Sequence, residues 1–270
     1  MRRITAISNQ KGGVGKTTTA VNLAASLAAE GKRVLLVDCD PQGNASSGLG
    51  VADRSREGSL YPVLFGEATI DQVARPTELP QLMLVRAARD LAGVEAELAD
   101  ADDRLLRLRR ALAPVRDRYD FIFLDSPPSL GILTLNALVA ADEVVVPMQP
   151  EYYALEGLSD LRGTIERVRS TLNPPLELHG VLLTMYDPRN NLATQVADEV
   201  RKHFRVFDTV IPRNIRLAEA PSYGKPVILY DPTSRGSHGY QSLAREILGE
   251  PPRVDTVEAV ETPEAVEAVV

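Results

Sequence analysis

The sequence contains one cysteine, Cys39, among its 270 residues. A single thiol excludes an intrachain disulfide framework, and it excludes a four-thiolate zinc or iron–sulfur site within one chain. A reducing cytoplasm is therefore the compartment that we expect. Long apolar runs are also missing, because no stretch approaches the roughly 20 residues that a membrane-spanning helix needs. Polar Asn9 and Gln10 interrupt the first apolar run too early for a signal peptide, so we expect a soluble protein.

The net charge of −7 is unevenly distributed along the chain. Six acidic residues and one arginine in residues 250–270 account for −5, which leaves −2 for residues 1–249. The last 21 residues hold few large apolar side chains, and they contain prolines and Val-Glu-Ala repeats. We therefore expect residues 250–270 to form a disordered acidic tail that repels DNA and anionic lipid. Residues 1–249 are expected to form a single domain with a large core.

Short β-branched runs alternate with longer segments whose apolar residues recur at helical spacing. Several of the short runs (VLLVD, FIFLD and EVVVP) are almost entirely apolar, as expected for strands covered by helices on both faces. We predict an α/β fold with a doubly wound, mostly parallel sheet flanked by helices. Strands are predicted at residues 4–8, 34–38, 82–86, 121–125, 143–148, 180–185 and 209–211. The predicted helices cover residues 17–29, 90–113, 132–140, 155–172 and 193–204.

The stretch QKGGVGKTT follows the first predicted strand and precedes an alanine-rich helix. This is the context of a phosphate-binding loop, in which glycines allow a close backbone approach and amide groups at a helix N-terminus face the anion. Lys16 should reach the β- and γ-phosphates, and the Thr17 hydroxyl should hold Mg²⁺. The cofactors predicted are ATP and Mg²⁺. The predicted nucleotide-binding residues of this loop are Lys11, Gly12, Gly13, Val14, Gly15, Lys16, Thr17 and Thr18.

Acidic residues stand at the ends of two further strands. Asp38 and Asp40 follow the second predicted strand, and Pro41 and Gly43 favour a turn there. Asp125 ends the strand FIFLD, the position of a Walker B acid. Because ligands of such sheets bind beyond the carboxyl ends of the strands, we expect these acids to lie near the phosphate loop. Asp38 and Asp125 join Thr17 as the predicted metal site. The alternatives are an ordinary Asp-Pro turn for Asp40 and a simple strand cap for Asp125.

The loop departs from the strict P-loop pattern, because Gln10 stands where the first glycine belongs. The form KGGVGKTT instead resembles the deviant Walker A motif of the ParA/MinD group of ATPases. The resemblance extends from about Ile4 to Leu248, and stretches such as DCDPQGNASSGLG and VIPRNIRLAEAPSYGKP resemble ParA/Soj-type chromosome- and plasmid-partitioning ATPases. It implies that Lys11 crosses a homodimer interface to the partner's nucleotide and that Asp40 positions the attacking water. Lys11, Lys16 and Asp40 are thus the predicted catalytic residues.

The same resemblance implies further contacts and partners. Adenine is expected against Pro212 and Asn214, with Met185 on its other side. Non-specific DNA binding by the ATP-bound dimer is expected through basic residues, best matched by Arg189, Arg216 and Lys225. A ParB-like centromere-binding protein is the expected partner that stimulates slow ATP hydrolysis, and no membrane contact is expected. The protein is then cytoplasmic and nucleoid-associated.

Three alternative functions share this loop. A MinD-like membrane-associated ATPase needs a basic amphipathic helix, whereas the tail EAVETPEAVEAVV is acidic and interrupted by Pro263. An iron-protein-like electron carrier needs several cysteines, and only Cys39 is present. A P-loop metabolic enzyme needs an added substrate pocket, for which the sequence shows no distinct signal. Size-exclusion chromatography with and without ATP and DNA separates these alternatives.

Overall fold

The computed structural model describes residues 2–251. The expected acidic tail therefore lies outside the described residues, except for Glu250 and Pro251. In the described part of the chain, no helix is long and apolar enough to cross a membrane.

One seven-stranded sheet organises residues 2–251, in the order β3-β4-β2-β5-β1-β6-β7. All neighbouring strands are parallel except β3 and β4, which confirms the predicted doubly wound α/β fold. The register aligns Ile7, Asp38 and Asp125 across three central strands, so their carboxyl ends meet at one edge. The strands are β1 (Arg3–Ile7), β2 (Val34–Asp38), β3 (Arg75–Pro76), β4 (Leu82–Val85), β5 (Phe121–Asp125), β6 (Glu143–Met148) and β7 (Glu177–Leu183).

Helices cover both faces of this sheet. Alternate residues of each strand enter separate cores: Leu35 and Val37 face one layer, whereas Leu36 of the same strand faces the layer that contains α1 and α12. The helices are α1 (Lys16–Ala29), α2 (Asn44–Gly48), α3 (Leu60–Leu64), α4 (Ile70–Val73), α5 (Val94–Glu97), α6 (Arg107–Leu112), α7 (Ile132–Ala140), α8 (Ala154–Thr171), α9 (Asn191–His203), α10 (Ile215–Glu219), α11 (Val227–Tyr230) and α12 (Arg235–Leu248). Short 3₁₀ turns cover Arg89–Gly93, Arg116–Arg118 and Ala220–Tyr223.

Two predicted elements are wrong. Residues 90–113 do not form one helix: a 3₁₀ turn leads into α5, and α6 begins only at residue 107 after an irregular stretch that includes the acidic run ADADD. Residues 209–211 do not form a strand. The backbone N–H groups of Asp208 and Thr209 instead donate to the Glu246 carboxylate of α12, at 2.8 and 2.9 Å, so they are not available to a neighbouring strand.

The sequence analysis did not predict α12, although its 14 residues close one side of the fold. Two glycines in its first turns weaken the helical pattern. Gly236 is required there, since a Cβ atom at this position would lie 2.7 Å from Leu217 Cγ. The buried Tyr240 joins α12 to α1, with its hydroxyl 3.1 Å from the Thr19 hydroxyl.

Candidate functional site

The loop between β1 and α1 is folded back on itself. The Lys16 ammonium donates to the Lys11 carbonyl at 2.9 Å, closing the loop as a small ring. Gly15 has a φ of 88° and stands at the N-cap of α1, a conformation that a residue with a Cβ atom adopts only under strain. Directly after β7, the Thr184 hydroxyl donates to the Val14 carbonyl at 2.8 Å. The backbone amides at the start of α1 are thereby held ready for an anion.

Asn9 supports the same loop from inside the fold. Its side-chain amide donates to the Pro147 carbonyl of β6 at 2.8 Å, while its oxygen accepts from the Lys11 backbone N–H at 3.0 Å. Asn9 is buried, so it links the position of β6 directly to the phosphate loop. Asn9 was predicted only as a polar interruption of the first apolar run, and its role in the loop was missed because Pro147 lies 138 residues away.

Two buried carboxylates lie at the bottom of the site, at the ends of β2 and β5. Asp38 accepts from the Ser46 backbone N–H at 2.8 Å, from the Ser46 hydroxyl at 2.6 Å and from the Asp40 N–H at 3.2 Å. Burial raises the pKa of Asp38 to about 6, against the lowering effect of the Ser46 hydrogen bonds. Asp38 is thus a well-bonded acid that anchors α2 below the loop.

Asp125 has a different environment. Both of its carboxylate oxygens are buried, and neither has a hydrogen-bond partner with good geometry in residues 2–251. Burial and then the negative charge of Asp38 raise the pKa of Asp125 well above its usual range, although the Thr17 hydroxyl and Lys16 are near enough to oppose the rise. A buried carboxylate without a partner is costly unless something completes it. Beside a P-loop threonine, a magnesium ion with its bound water is the group that fits.

Lys16 and Asp40 complete the charged part of the site. Burial lowers the pKa of Lys16, and the charges of Asp125 and then Asp40 offset part of that effect. Asp40 opens a tight turn: its carbonyl accepts from the Gly43 N–H at 2.7 Å and its carboxylate from the Gln42 N–H at 2.9 Å. The turn holds the Asp40 carboxylate at the cavity wall, near the Lys16 ammonium.

A cavity of about 690 Å³ extends from these groups. Gly12, Gly13, Gly15, Lys16, Thr17, Thr18 and Asp40 line its phosphate end, and Met185, Pro212 and Asn214 line the other end with Ile211, Leu217 and Tyr240. Its volume falls within the range of pockets that enclose a ligand of nucleotide size. The structure therefore brings together the residues predicted for phosphate and for adenine. The contributions of Leu217 and Tyr240 were missed: Leu217 lies in the stretch VIPRNIRLAEAPSYGKP, to which no apolar contact was assigned, and Tyr240 lies outside every quoted motif.

Three predicted nucleotide-binding residues have additional structural roles. Val14 is buried and does not line the cavity; its carbonyl accepts from the Thr184 hydroxyl. The Asn214 side chain caps α10 by accepting from the Arg216 N–H at 2.8 Å, which fixes its orientation at the cavity rim. Met185 has a φ of 50°, and a non-glycine residue in this region is uncommon and often marks a functional position.

Lys11 does not line this cavity. Its ammonium group pairs with Glu151, in the loop after β6, and both side chains are nearly half exposed. The second lysine of the loop therefore lies at the protein surface. Within this chain its side chain does not reach the position that a nucleotide would occupy.

The three predicted DNA-binding residues do not share one cavity, and each has an acidic neighbour. Arg189 forms a two-pronged pair with Asp187, at 3.0 and 2.8 Å. Arg216 pairs with Glu219 at 2.8 Å and with Asp231 at 3.1 Å, and Lys225 pairs with Glu78 at 3.4 Å. These acids reduce the net positive charge that each residue offers to a nucleic acid.

Comparisons with known proteins place this site in a family. The family model described as an AAA domain matches residues 2–178. The chromosome partitioning protein ParA of Myxococcus xanthus is 56% identical over 248 residues, covering 91% of this chain and 88% of that protein. The sporulation initiation inhibitor protein Soj of Bacillus subtilis is 56% identical over 249 residues, covering 92% and 98%.

A solved structure supports the fold assignment. The structure of cobyrinic acid a,c-diamide synthase from Mycobacterium smegmatis, with ADP and magnesium bound, superposes with a TM-score of 0.80. It is 37% identical, and the match covers 92% of this chain and 94% of that one. The family model, the two relatives and the P-loop site agree with one another. The chain therefore belongs to the ParA/Soj family of chromosome-partitioning ATPases.

Proposed function

We propose that this protein is a magnesium-dependent ATPase that dimerises around ATP, binds DNA without sequence preference as the dimer, and releases it after hydrolysis. Successive cycles of binding and release would segregate a chromosome or plasmid. The proposal is supported by relatives that are named as chromosome partitioning proteins and that this chain matches along nearly their whole length. Residues 1–249 would act as one ATPase domain, because β7 extends the same sheet and α12 packs on α1.

ATP and Mg²⁺ are the ligands that the cavity fits. Its glycine-lined end and Lys16 suit the phosphates, and its apolar end suits a base. The unpartnered Asp125 and the nearby Thr17 suit a magnesium ion and its water ligands. Asp40, held at the wall by its own turn, would orient the attacking water. The bound metal would neutralise charge on the phosphates.

The position of Lys11 is the observation that carries the dimerisation proposal. A lysine that belongs to the phosphate loop but points out of its own cavity is suited to reach the nucleotide of a second copy. Charge-assisted hydrogen bonds contribute about 1.5 to 3 kcal/mol each. Two symmetric contacts would therefore strengthen dimerisation by roughly two to four orders of magnitude. ATP, with its additional phosphate, would favour the dimer over ADP.

DNA binding would follow from dimerisation. One protomer with a few phosphate contacts binds weakly, whereas two linked copies gain from effective concentration. Arg189, Arg216 and Lys225 are the proposed contacts, and in a complex the phosphates would compete with their acidic neighbours. Intrinsic hydrolysis would be slow, and a ParB-like centromere-binding partner would accelerate it. The protein would then be cytoplasmic and associated with the nucleoid rather than with a membrane.

A metabolic P-loop enzyme is the second candidate. It is favoured by the similarity to the Mycobacterium smegmatis cobyrinic acid a,c-diamide synthase, which is 37% identical. The higher identity of 56% to the ParA and Soj relatives favours partitioning.

Size-exclusion chromatography with ATP, with ADP and without nucleotide, each with and without non-specific duplex DNA, tests the proposal. We expect a dimer only with ATP and DNA co-elution only with that dimer. A chain that stays monomeric with ATP in the hydrolysis-blocked Asp40→Ala variant would contradict the switch and favour the metabolic enzyme.

A further inference from the structure

A second cavity, of about 390 Å³, opens beside the nucleotide cavity. Three arginines line it, Arg189, Arg213 and Arg235, together with a single acid, Asp187. We propose that this arginine cavity, defined by the three guanidinium groups, binds one phosphodiester group of the DNA backbone. The inference rests on the proposed function, and it adds two residues and a defined subsite to the expected DNA-binding surface.

The charge of the arginine cavity fits a phosphate. Arg189 is neutralised by its two-pronged pair with Asp187. For the Arg213 and Arg235 side chains, in contrast, no hydrogen bond or ion pair is found within residues 2–251. The pKa of Asp187 is lowered mainly by its hydrogen bonds from Arg189, and the charge of Arg235 adds a smaller effect. The four charged groups therefore leave about two positive charges facing one concave surface. A phosphodiester carries one negative charge, so it can enter without displacing Asp187.

The geometry of the arginine cavity comes from three separate segments of the chain. Arg189 lies in the loop after β7, Arg213 precedes α10, and Arg235 is the first residue of the 14-residue α12. The N-terminus of a helix of this length adds partial positive charge near Arg235. Guanidinium groups present planar forks of N–H donors that match phosphate oxygens, which favours arginine over lysine in such a site. A polymer phosphate fits better than a buried small ligand, because Arg189 has 88% of its side chain exposed.

The arginine cavity also shares a wall with the nucleotide cavity. Pro212 and Arg213 line both of them. The segment that would support the adenine base is therefore the segment that presents Arg213 to the phosphodiester. A bound nucleotide would restrict this segment, so we expect DNA affinity to rise with nucleotide occupancy even before the contribution of the second protomer.

The test uses fluorescence anisotropy of a labelled random-sequence duplex, titrated with Asp40→Ala protein and Mg·ATP at several salt concentrations. Arg235 is the informative position, since it does not line the nucleotide cavity. Arg235→Ala should weaken DNA binding at least tenfold. It should also reduce the magnitude of the slope of log affinity against log salt concentration by about two. A dimer loses two phosphate contacts, one in each protomer, and each contact contributes about 0.9 to the slope. Arg235→Lys should recover part of the affinity. Arg201→Ala, which removes an exposed arginine of α9 outside the cavity, should change neither quantity.

The outcomes separate this inference from the proposed function. If the parent protein itself does not bind the duplex, the proposed function fails. If it binds and both Arg235→Ala and Arg235→Gln bind with unchanged affinity and salt slope, the arginine cavity is not a DNA subsite. A third arm adds inorganic phosphate at constant ionic strength, to test whether the arginine cavity binds free phosphate. If the cavity binds free phosphate and not DNA, the Arg235 variants will bind the duplex as the parent does, and that result would overturn the inference. ATP-dependent dimerisation of each variant shows that it is folded.

Discussion

Asp38 and Asp125 are register partners on the adjacent parallel strands β2 and β5, and both carboxylates are fully buried. Only Asp38 has hydrogen-bond donors with good geometry within the described part of the chain. Two carboxylates placed side by side in a protein interior repel each other, and each disfavours ionisation of the other. The sheet therefore holds a concentration of negative charge directly beneath Thr17 and Lys16, where a divalent cation would relieve it.

The first prediction concerns the pH dependence of stability without nucleotide. Burial raises the pKa of Asp38 from 3.8 to about 6, so the folded chain binds this proton more tightly than the unfolded chain does. Protonated Asp38 therefore stabilises the fold fully below about pH 4, and this contribution is lost as the pH rises through about 6. For a pKa shift of this size, the free energy of unfolding falls by about 3 kcal/mol in total. The difference in Tm between pH 5 and pH 8 should shrink in Asp38→Asn. An unchanged difference would show that Asp38 is not the titrating group.

The second prediction concerns Asp125→Asn at pH 8. The substitution removes a buried carboxylate that has no hydrogen-bond donor with good geometry in residues 2–251 and that lies beside Asp38. The nucleotide-free variant should melt several degrees higher, since 1 kcal/mol corresponds to about 2 to 4 °C in a domain of this size. Magnesium should no longer strengthen ATP binding, as measured by calorimetry with and without the metal. A variant that is less stable than the parent and still responds to magnesium would contradict the proposed role.

The third prediction separates the two lysines of the loop. Lys16→Ala should weaken ATP binding at least tenfold, because a buried charge-assisted contact to phosphate is lost. Lys11→Ala should bind ATP with nearly unchanged affinity but should fail to dimerise, as measured by equilibrium binding and sedimentation. Glu151→Gln is the matched control, since it also breaks the pair between Lys11 and Glu151. An exposed pair contributes only about 0 to 1 kcal/mol, so this control should still dimerise with ATP.

The fourth prediction concerns Asp40→Ala. The variant should bind Mg·ATP, because Lys16 and the loop amides are unchanged, but steady-state turnover should fall at least a hundredfold if Asp40 positions the attacking water. The dimer should then persist on DNA for longer, which surface plasmon resonance measures as a slower dissociation. Rapid turnover by this variant would remove Asp40 from the mechanism.

A fifth prediction concerns a residue that the sequence analysis passed over. Thr184, which directly follows β7, donates to the Val14 carbonyl of the phosphate loop. Thr184→Val keeps the shape of the side chain but removes the donor, so the loop should lose one restraint. We expect ATP affinity to fall by a few fold while the Tm changes by only a few degrees, since one hydrogen bond contributes about 1 kcal/mol. Thr184→Ser should retain the parent affinity.

The fold was predicted well where the chemistry is local. The apolar runs VLLVD and FIFLD became the central strands β2 and β5 with the bounds expected, because a strand covered on both faces needs an unbroken apolar run. The prediction failed where tertiary contacts decide. Residues 209–211 have a strand-like composition, but the Thr209 N–H donates to Glu246 of α12 while the Ile211 N–H donates to the Leu183 carbonyl of β7, so the segment does not pair continuously with one strand. The helix α12 was not predicted because Gly236 weakens its helical pattern, and Gly236 is needed because a larger residue would collide with Leu217.

The amino-acid sequence by itself determined the phosphate-binding chemistry of this protein. Glycines, a lysine and a threonine within eight consecutive residues form a loop before a helix whatever surrounds them, and Asp38 and Asp125 each end an apolar strand. Only the tertiary structure decided which distant groups meet at that loop. In the folded chain, Asp38 lies beside Asp125, and Lys11 pairs with Glu151 at the surface. Three separate segments of the chain supply Arg189, Arg213 and Arg235 to one cavity. Such contacts join residues tens to hundreds of positions apart, and they depend on strand order and helix packing, which no local spacing encodes.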